Sequence, residues 1–175
     1  MARFDELLAR VETYQGLVSE NYDRIRKLAE DLSAGMCEYM DSSSGVCVHL
    51  VPPAGQFTPK AYGDEAFSMP PRGFRHLGPI AFGLAVRVSS GTDWLRVTLQ
   101  CHKVGDKFTV NILDGDEYEF SLPLANEDTE PFYEHVYKHV YEWFDDQIER
   151  YKDGDNYDTR EIGFDIADDD DKAWA

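Results

Sequence analysis

Four consecutive segments decide the fold: IAFGLAVRV (residues 80–88), WLRVTLQCH (94–102), KFTVNI (107–112) and EYEFSL (117–122). In each of them an apolar residue recurs at every second position, which is typical of a β-strand with one buried face. The connections between them are short and rich in Gly, Asp and Ser, and Asp114-Gly115 is a strong signal of a tight hairpin turn. The sequence therefore predicts a four-stranded antiparallel meander.

Helical patterns flank this meander on both sides. Residues 4–40 carry apolar side chains at three- and four-residue spacing, with Gly16 as the expected kink or break. Residues 130–153 carry a second such pattern, with Thr129 as the predicted N-cap and Pro131 in the first turn. Its apolar arc covers about half of the helix surface, which is more than one sheet can bury. We expect both helices to pack on the apolar sheet face, with the surplus meeting the first helix or a second subunit, as in a homodimer through the C-terminal helix.

The predicted fold class is α+β, with a long N-terminal helix, the four-stranded antiparallel meander, a long C-terminal helix and an acidic tail. Residues 1–166 are expected to form a single domain, and residues 167–175 an acidic flexible tail. Residues 46–51 and 162–166 have the composition of additional short strands. Residues 52–79 hold six of the eight prolines and predict an irregular loop, and a loop of this length in a compact domain is usually functional or else disordered.

The formal charge of −17 is concentrated in the last third of the chain. Residues 1–45 contain nine acidic and five basic residues, residues 46–112 four and seven, and residues 113–175 contain 21 and five. An acidic surface attracts basic partners and repels nucleic acid. We therefore expect a non-enzymatic acidic interaction protein of the inhibitor, immunity-type or nucleic-acid-mimic kind, with a basic protein as its partner.

The cysteines and the N-terminal sequence bear on the compartment. Cys37, Cys47 and Cys101 are odd in number and follow no disulfide or zinc spacing. No signal-peptide pattern begins the sequence, and no run of apolar residues has the length of a membrane span. We therefore expect three reduced thiols in a cytoplasmic protein that has no membrane partner.

The polar face of the meander and the long loop together predict a possible ligand-binding surface. Its members are Arg72, Arg75, His76, Arg87, Trp94, Arg96, Gln100, His102 and Lys107. Because arginine binds carboxylates and phosphates with two parallel hydrogen bonds, the alternative function is a small anionic-ligand-binding protein or an enzyme. A solvated antiparallel face is polar without any ligand, so that simpler interpretation stays open. A further hypothesis is that the acidic segment Asp165 to Asp171 folds back over Arg87, Arg96 and Lys107 and masks them.

Three groups of residues resemble metal sites but depart from the required spacing. Cys47 and Cys101 each lie near a histidine, but neither belongs to a C-x-x-C pair. His135 and His139 are one helical turn apart, but the motif is not H-E-x-x-H. Residues 152–158 do not match the ligand spacing of an EF-hand. The sequence therefore predicts no metal site, no cofactor and no catalytic residue.

Overall fold

The structure is a computed structural model that describes residues 2–40, 46–69, 75–91, 93–113 and 116–154, together with the backbone of residues 164–168. Its elements in chain order are α1 (Arg3–Tyr39), β1 (Val48–Val51), a short 3-10 helix (Gly63–Ala66), β2 (Ile80–Arg87), β3 (Asp93–Val104), β4 (Lys107–Ile112), β5 (Glu117–Phe120), α2 (Asn126–Asp153) and β6 (Phe164–Asp168). The predicted α+β class is therefore confirmed. Among the described residues, no helix combines the length and apolar character that a membrane span requires.

The sheet contains the predicted meander but is larger than predicted. Strands β2 to β5 follow one another in antiparallel order, as the alternating patterns indicate. The prediction of four strands is wrong because β1 pairs with β2, which gives the row β1-β2-β3-β4-β5. Strand β3 is twelve residues long, so β4 covers only its second half, and β6 pairs with its first half as a sixth strand.

Both helices pack on the same face of the sheet. The main core takes alternate residues from the strands and one stripe from each helix, and it includes Leu28 of α1, Leu99 of β3 and Phe132 of α2. All three of these side chains are fully buried. Burial of one such side chain contributes roughly 1.5–3 kcal/mol, so this face supplies most of the hydrophobic stabilisation.

Two details of the helices differ from the prediction. Helix α1 continues through Gly16 without a break, because the residue is exposed and nothing lies within 4 Å to force a bend. Helix α2 begins at Asn126, before the predicted start at residue 130. The Thr129 hydroxyl donates a hydrogen bond back to the Ala125 carbonyl oxygen at 3.4 Å, so it acts inside the first turn rather than as an N-cap. Pro131 consequently lies in the second turn.

The long loop is attached to both faces of the sheet. A second, smaller buried cluster on the face opposite the helices consists of Val51, Phe57, Ala85 and Trp94. Further along the loop, Phe67 and Met69 join the main core on the helix side. The loop of residues 52–79 therefore passes from one face to the other and completes both cores.

Cys37 at the end of α1 and Cys47 just before β1 form a disulfide, with their Cα atoms 5.5 Å apart. The prediction of three reduced thiols is therefore wrong. The chain returns from α1 directly into β1, which brings two cysteines of unremarkable spacing together. Cys101 is free and buried, and burial raises the pKa of its thiol to about 12. A persistent disulfide is typical of oxidising compartments, and the cytoplasmic location stays a prediction.

Candidate functional site

The structure distributes the predicted ligand-binding residues over separate places. Those of the sheet face are Trp94 and Arg96, which are buried, Arg87 and His102, which are half-buried, and Gln100 and Lys107, which are exposed. Arg75 and His76 lie on the helix side of the sheet, where the Arg75 guanidinium stacks over the Tyr22 ring of α1 at 5.4 Å. Arg72 lies outside the described residues. Because Arg75 and Arg96 are on opposite sides of the sheet, the two do not close over one ligand.

Arg96 is enclosed by the loop. Its guanidinium carbon lies 4.7 Å from the centroid of the Phe57 ring, and its Nη1 donates to the Pro52 carbonyl oxygen at 3.1 Å. The aliphatic part of Arg96 packs over Gly83, since a Cβ at Gly83 would lie 2.9 Å from Arg96 Cδ. Arg96 therefore fastens the loop to the sheet.

Arg87 holds the turn between β2 and β3. Its Nε donates to the carbonyl oxygens of Ser89 and Gly91, both at 3.1 Å. Its Nη2 donates to the carbonyl oxygens of Ser90 at 2.9 Å and Gly91 at 2.8 Å. These hydrogen bonds give Arg87 a structural role, and a role in ligand binding stays a prediction.

After α2 the chain returns to β3. It pairs with β3 as an additional strand and does not lie over the face of the sheet. In β6, Asp165 is the backbone partner of Arg96, and Ala167 is the partner of Trp94. The described part of the acidic segment therefore extends the sheet beside β3. The remainder of the predicted tail, residues 169–175, lies outside the described residues, so its folding back over Lys107 stays a hypothesis.

The histidine pair of α2 forms a polar contact with the β4–β5 connection. His135 Nε2 lies 3.2 Å from Asp116 Oδ2, and the His135 and His139 rings are 4.7 Å apart. Burial, and then the neighbouring His139, lower the pKa of His135, while Asp116 opposes this shift. Across the described residues, no group of three or more His, Cys, Asp and Glu side chains is arranged to hold a metal ion.

A groove that sequence reasoning missed lies between the two helices and the end of β2. Its volume is about 480 Å³. Its walls are formed by Met36 of α1 and Met40 just after it, by Val86, Arg87, Val88, Ser89 and Ser90 at and after the end of β2, and by Tyr137, Val140, Tyr141, Phe144, Asp145 and Ile148 of α2. The wide apolar arc of α2 is the sequence signal for one wall. The other walls could not be predicted from the apolar spacing of the sequence, because they are brought together only by tertiary packing.

A row of aromatic side chains runs along the groove. Tyr137 and Tyr141 are 47% and 62% exposed, and their ring centroids are 6.2 Å apart. Tyr39 at the end of α1 lies outside the lining of the groove, and its ring extends the row at 6.5 Å from the Tyr137 ring. Ile148, which also lines the groove and lies further along α2, is 51% exposed. Contiguous exposed apolar surface of this kind, bordered by polar residues, is typical of an interaction site.

Helix α2, which borders the groove, is negatively charged. Helix α2 contains nine acidic and three basic residues, and each basic residue is paired with an acid of the same helix. Asp145 lines the groove and has no ion-pair partner in the part of the chain that the structure describes. The pKa of Tyr39 is raised, first by desolvation and then by the carboxylates of Glu134 and Glu130. The electrostatic environment around the aromatic row is therefore anionic.

These features define an α+β domain with an apolar, aromatic groove and an acidic border. Comparisons with protein-family models, curated proteins and solved structures find no match to this chain. A functional assignment therefore rests on the chemistry of the groove and its charges.

Proposed function

We propose that this chain is a non-enzymatic interaction protein, of the inhibitor, immunity-type or nucleic-acid-mimic kind, whose α2 groove binds a basic macromolecular partner. The observation that carries the proposal is the coincidence of an exposed aromatic row with the acidic helix that bears it. An apolar groove alone suits many ligands, whereas the acidic border selects for positive charge.

The composition of the groove suits a protein partner. Tyrosine and methionine are enriched in the cores of protein interfaces, where tyrosine supplies a large contact area with few rotatable bonds. Met40, which follows α1, is half-buried in the wall of the groove, and methionine adapts its shape to the side chains that it meets. The partner segment is expected to carry apolar anchors that enter the groove and basic residues that meet its border.

The charges favour a basic ligand over the small anion that the sheet face suggested. Arg87 is the one cation among the groove-lining residues, and its guanidinium is engaged by the carbonyl groups of the neighbouring turn. The carboxylate of Asp145, which also lines the groove, has by contrast no ion-pair partner among the described residues. Long-range attraction to this border would accelerate association and make it sensitive to salt.

The proposal is tested with a fluorescently labelled amphipathic peptide of leucine and lysine at helical spacing, titrated with the full chain. Two control peptides replace every lysine by glutamate or every leucine by serine. Since binding requires both apolar anchors and positive charge, only the leucine–lysine peptide is expected to bind. Equal affinity for the leucine–glutamate peptide would contradict the proposal.

Two matched pairs of variants locate the binding site. Tyr141→Ser removes a groove residue, whereas Tyr151→Ser removes an even more exposed tyrosine of α2 that does not line the groove. Asp145→Lys changes the charge of the border, and Asp23→Lys makes the same change on exposed α1 surface. The first member of each pair is expected to weaken binding at least about tenfold, and the second less than about threefold. Equal losses within a pair would place the binding elsewhere.

A further inference from the structure

The first 15 residues of α1, residues 3–17, are called the α1 extension. Val18 is the first fully buried residue of the helix, and within the extension Tyr14 is partly buried against the main core. At 1.5 Å per residue the extension is about 22 Å long. Within it, Phe4 and Leu7 are 69% and 60% exposed, and Leu8 and Leu17 are also exposed. Contiguous exposed apolar side chains on a helix are typical of an interaction surface.

The exposed face continues the stripe that α1 buries elsewhere. Its apolar positions are Phe4 and Leu7, which are exposed, Val11 and Tyr14, which are half-buried, and Val18, which is buried, and the stripe goes on through Ile25, Leu28 and Leu32. This alternation of three- and four-residue steps is the heptad pattern by which helices pack against other helices. The extension therefore presents a seam that suits another helix.

We propose that the α1 extension pairs in antiparallel orientation with the α1 extension of a second copy of this chain. From Val18 onward the same stripe is covered by the sheet of its own chain. A parallel partner would bring its own sheet into that occupied space, whereas an antiparallel partner places its domain beyond Arg3. The contact between the two copies is consequently limited to their two α1 extensions.

The antiparallel register that sets Leu7 opposite Val11 places Phe4 of the second copy near Tyr14. A groove of about 430 Å³ begins one turn further along α1, at Leu17, and Leu17 and Leu77 are exposed in its lining. The Leu77 backbone N–H donates to the Tyr14 hydroxyl at 2.6 Å, which fixes one wall of this groove to α1. The phenyl ring of the second copy would cover this exposed apolar surface.

The charges of the extension are compatible with self-association. It carries three acidic and two basic residues, so it is nearly neutral in a chain of net charge −17. Glu6 and Arg10 are one helical turn apart on the same flank of the seam. The antiparallel two-fold axis brings Glu6 of one copy beside Arg10 of the other, twice per dimer. The acidic α2 contacts the opposite end of α1, near Gly35 and Tyr39.

This surface is distinct from the α2 groove, and it differs from the dimer through the C-terminal helix that the sequence indicated. Its test is the mass of the full chain by analytical ultracentrifugation, from roughly 5 to 200 µM, because a reversible dimer depends on concentration. We expect a shift toward twice the monomer mass. Leu7→Glu should raise the dissociation constant at least about tenfold, because it puts a charge into the seam. Ala9→Glu, on the opposite face of the helix, is the matched control. A wild-type chain that stays monomeric, or equal effects of the two variants, would overturn the proposal.

The orientation is tested by crosslinking. Position 8 lies close to the proposed two-fold axis, so the cysteines of two Leu8→Cys chains are near each other. The cysteines of two Phe4→Cys chains are about 15 Å apart along the helix axis. Cys37 and Cys47 are bonded and Cys101 is buried, so the introduced thiol is the reactive one among the described residues. A short bis-maleimide is expected to crosslink Leu8→Cys and leave Phe4→Cys as monomer. The reverse result would overturn the antiparallel arrangement.

Discussion

Arg96 lies beneath Phe57, with its guanidinium carbon 4.7 Å from the ring centroid, and only 3% of the residue is exposed to solvent. A cation in this position gains from the aromatic face and from the hydrogen bond to the Pro52 carbonyl oxygen. One strand residue therefore holds the loop that forms the second core. This arrangement explains why an arginine and a tryptophan stand on a sheet face that would otherwise be solvated.

Arg96→Glu is accordingly expected to destabilise the fold rather than only to abolish ligand binding. The substitution buries a carboxylate among carbonyl oxygens and an aromatic face, and we expect a loss of at least about 3 kcal/mol in the free energy of unfolding. Gln100→Glu, on the same strand but exposed, should change it by less than about 0.5 kcal/mol. Urea denaturation measures both. A similar, small effect for the two variants would show that Arg96 does not fasten the loop.

Two glycines of α1 are expected to respond oppositely to alanine. A Cβ at Gly35 would overlap the Tyr133 hydroxyl, and the Tyr133 side chain is buried between the helices. Gly35→Ala should therefore cost about 1–3 kcal/mol in the free energy of unfolding. Gly16 is exposed with nothing within 4 Å, so Gly16→Ala should add about 0.5–1 kcal/mol through helix propensity. Thermal and urea unfolding compare the two, and destabilisation by Gly16→Ala would contradict a continuous α1.

The disulfide is expected to stabilise the fold by limiting the freedom of the unfolded chain. Cys37 and Cys47 are ten residues apart, and closing a loop of this size corresponds to about 2–3 kcal/mol. Reduction should lower the free energy of unfolding by that amount. Thiol counting supplies the control: the unfolded, unreduced chain should react with one equivalent of iodoacetamide at Cys101, and the reduced, unfolded chain with three. Three reactive thiols before reduction would contradict the disulfide.

His135 gives the stability a pH dependence of defined sign. Burial and then the neighbouring His139 lower its pKa below the ordinary value of 6.5, so the folded chain binds the proton more weakly than the unfolded chain does. The stabilising contribution of neutral His135 is present above about pH 6.5 and is lost as the pH falls through the folded pKa. Ring titration by NMR should give a midpoint below 6.5. Asp116→Asn should lower it further, because Asp116 favours the imidazolium, and an increase would contradict the contact.

The sequence was sufficient for the elements that have a regular period. Alternation along β2 to β5 predicted the meander, and the three- and four-residue spacing predicted both helices. The sheet order beyond the meander could not be predicted in the same way. The apolar run of β1 shows that it is a strand, but its pairing with β2 depends on how the long loop returns across the sheet.

The candidate site was less accessible to sequence reasoning. Tyr141 and Ile148 belong to an apolar arc that the periodicity of α2 reveals, but Met36 reaches the same groove only because α1 and α2 pack together. The outward positions of β3 were identified correctly as one face. The environment of these positions was not predicted. Phe57 covers Arg96 on the face opposite the helices, and it lies in a segment that has no regular apolar spacing.

The most direct test of the central claim is the affinity of the leucine–lysine peptide for the full chain, measured from about 50 to about 500 mM salt, a range over which surface electrostatics are progressively screened. We expect the dissociation constant to rise at least about tenfold across this range, and the dependence to be shallower for Asp145→Lys than for Asp23→Lys. An affinity that is flat over the whole range would contradict an acidic groove that selects a basic partner.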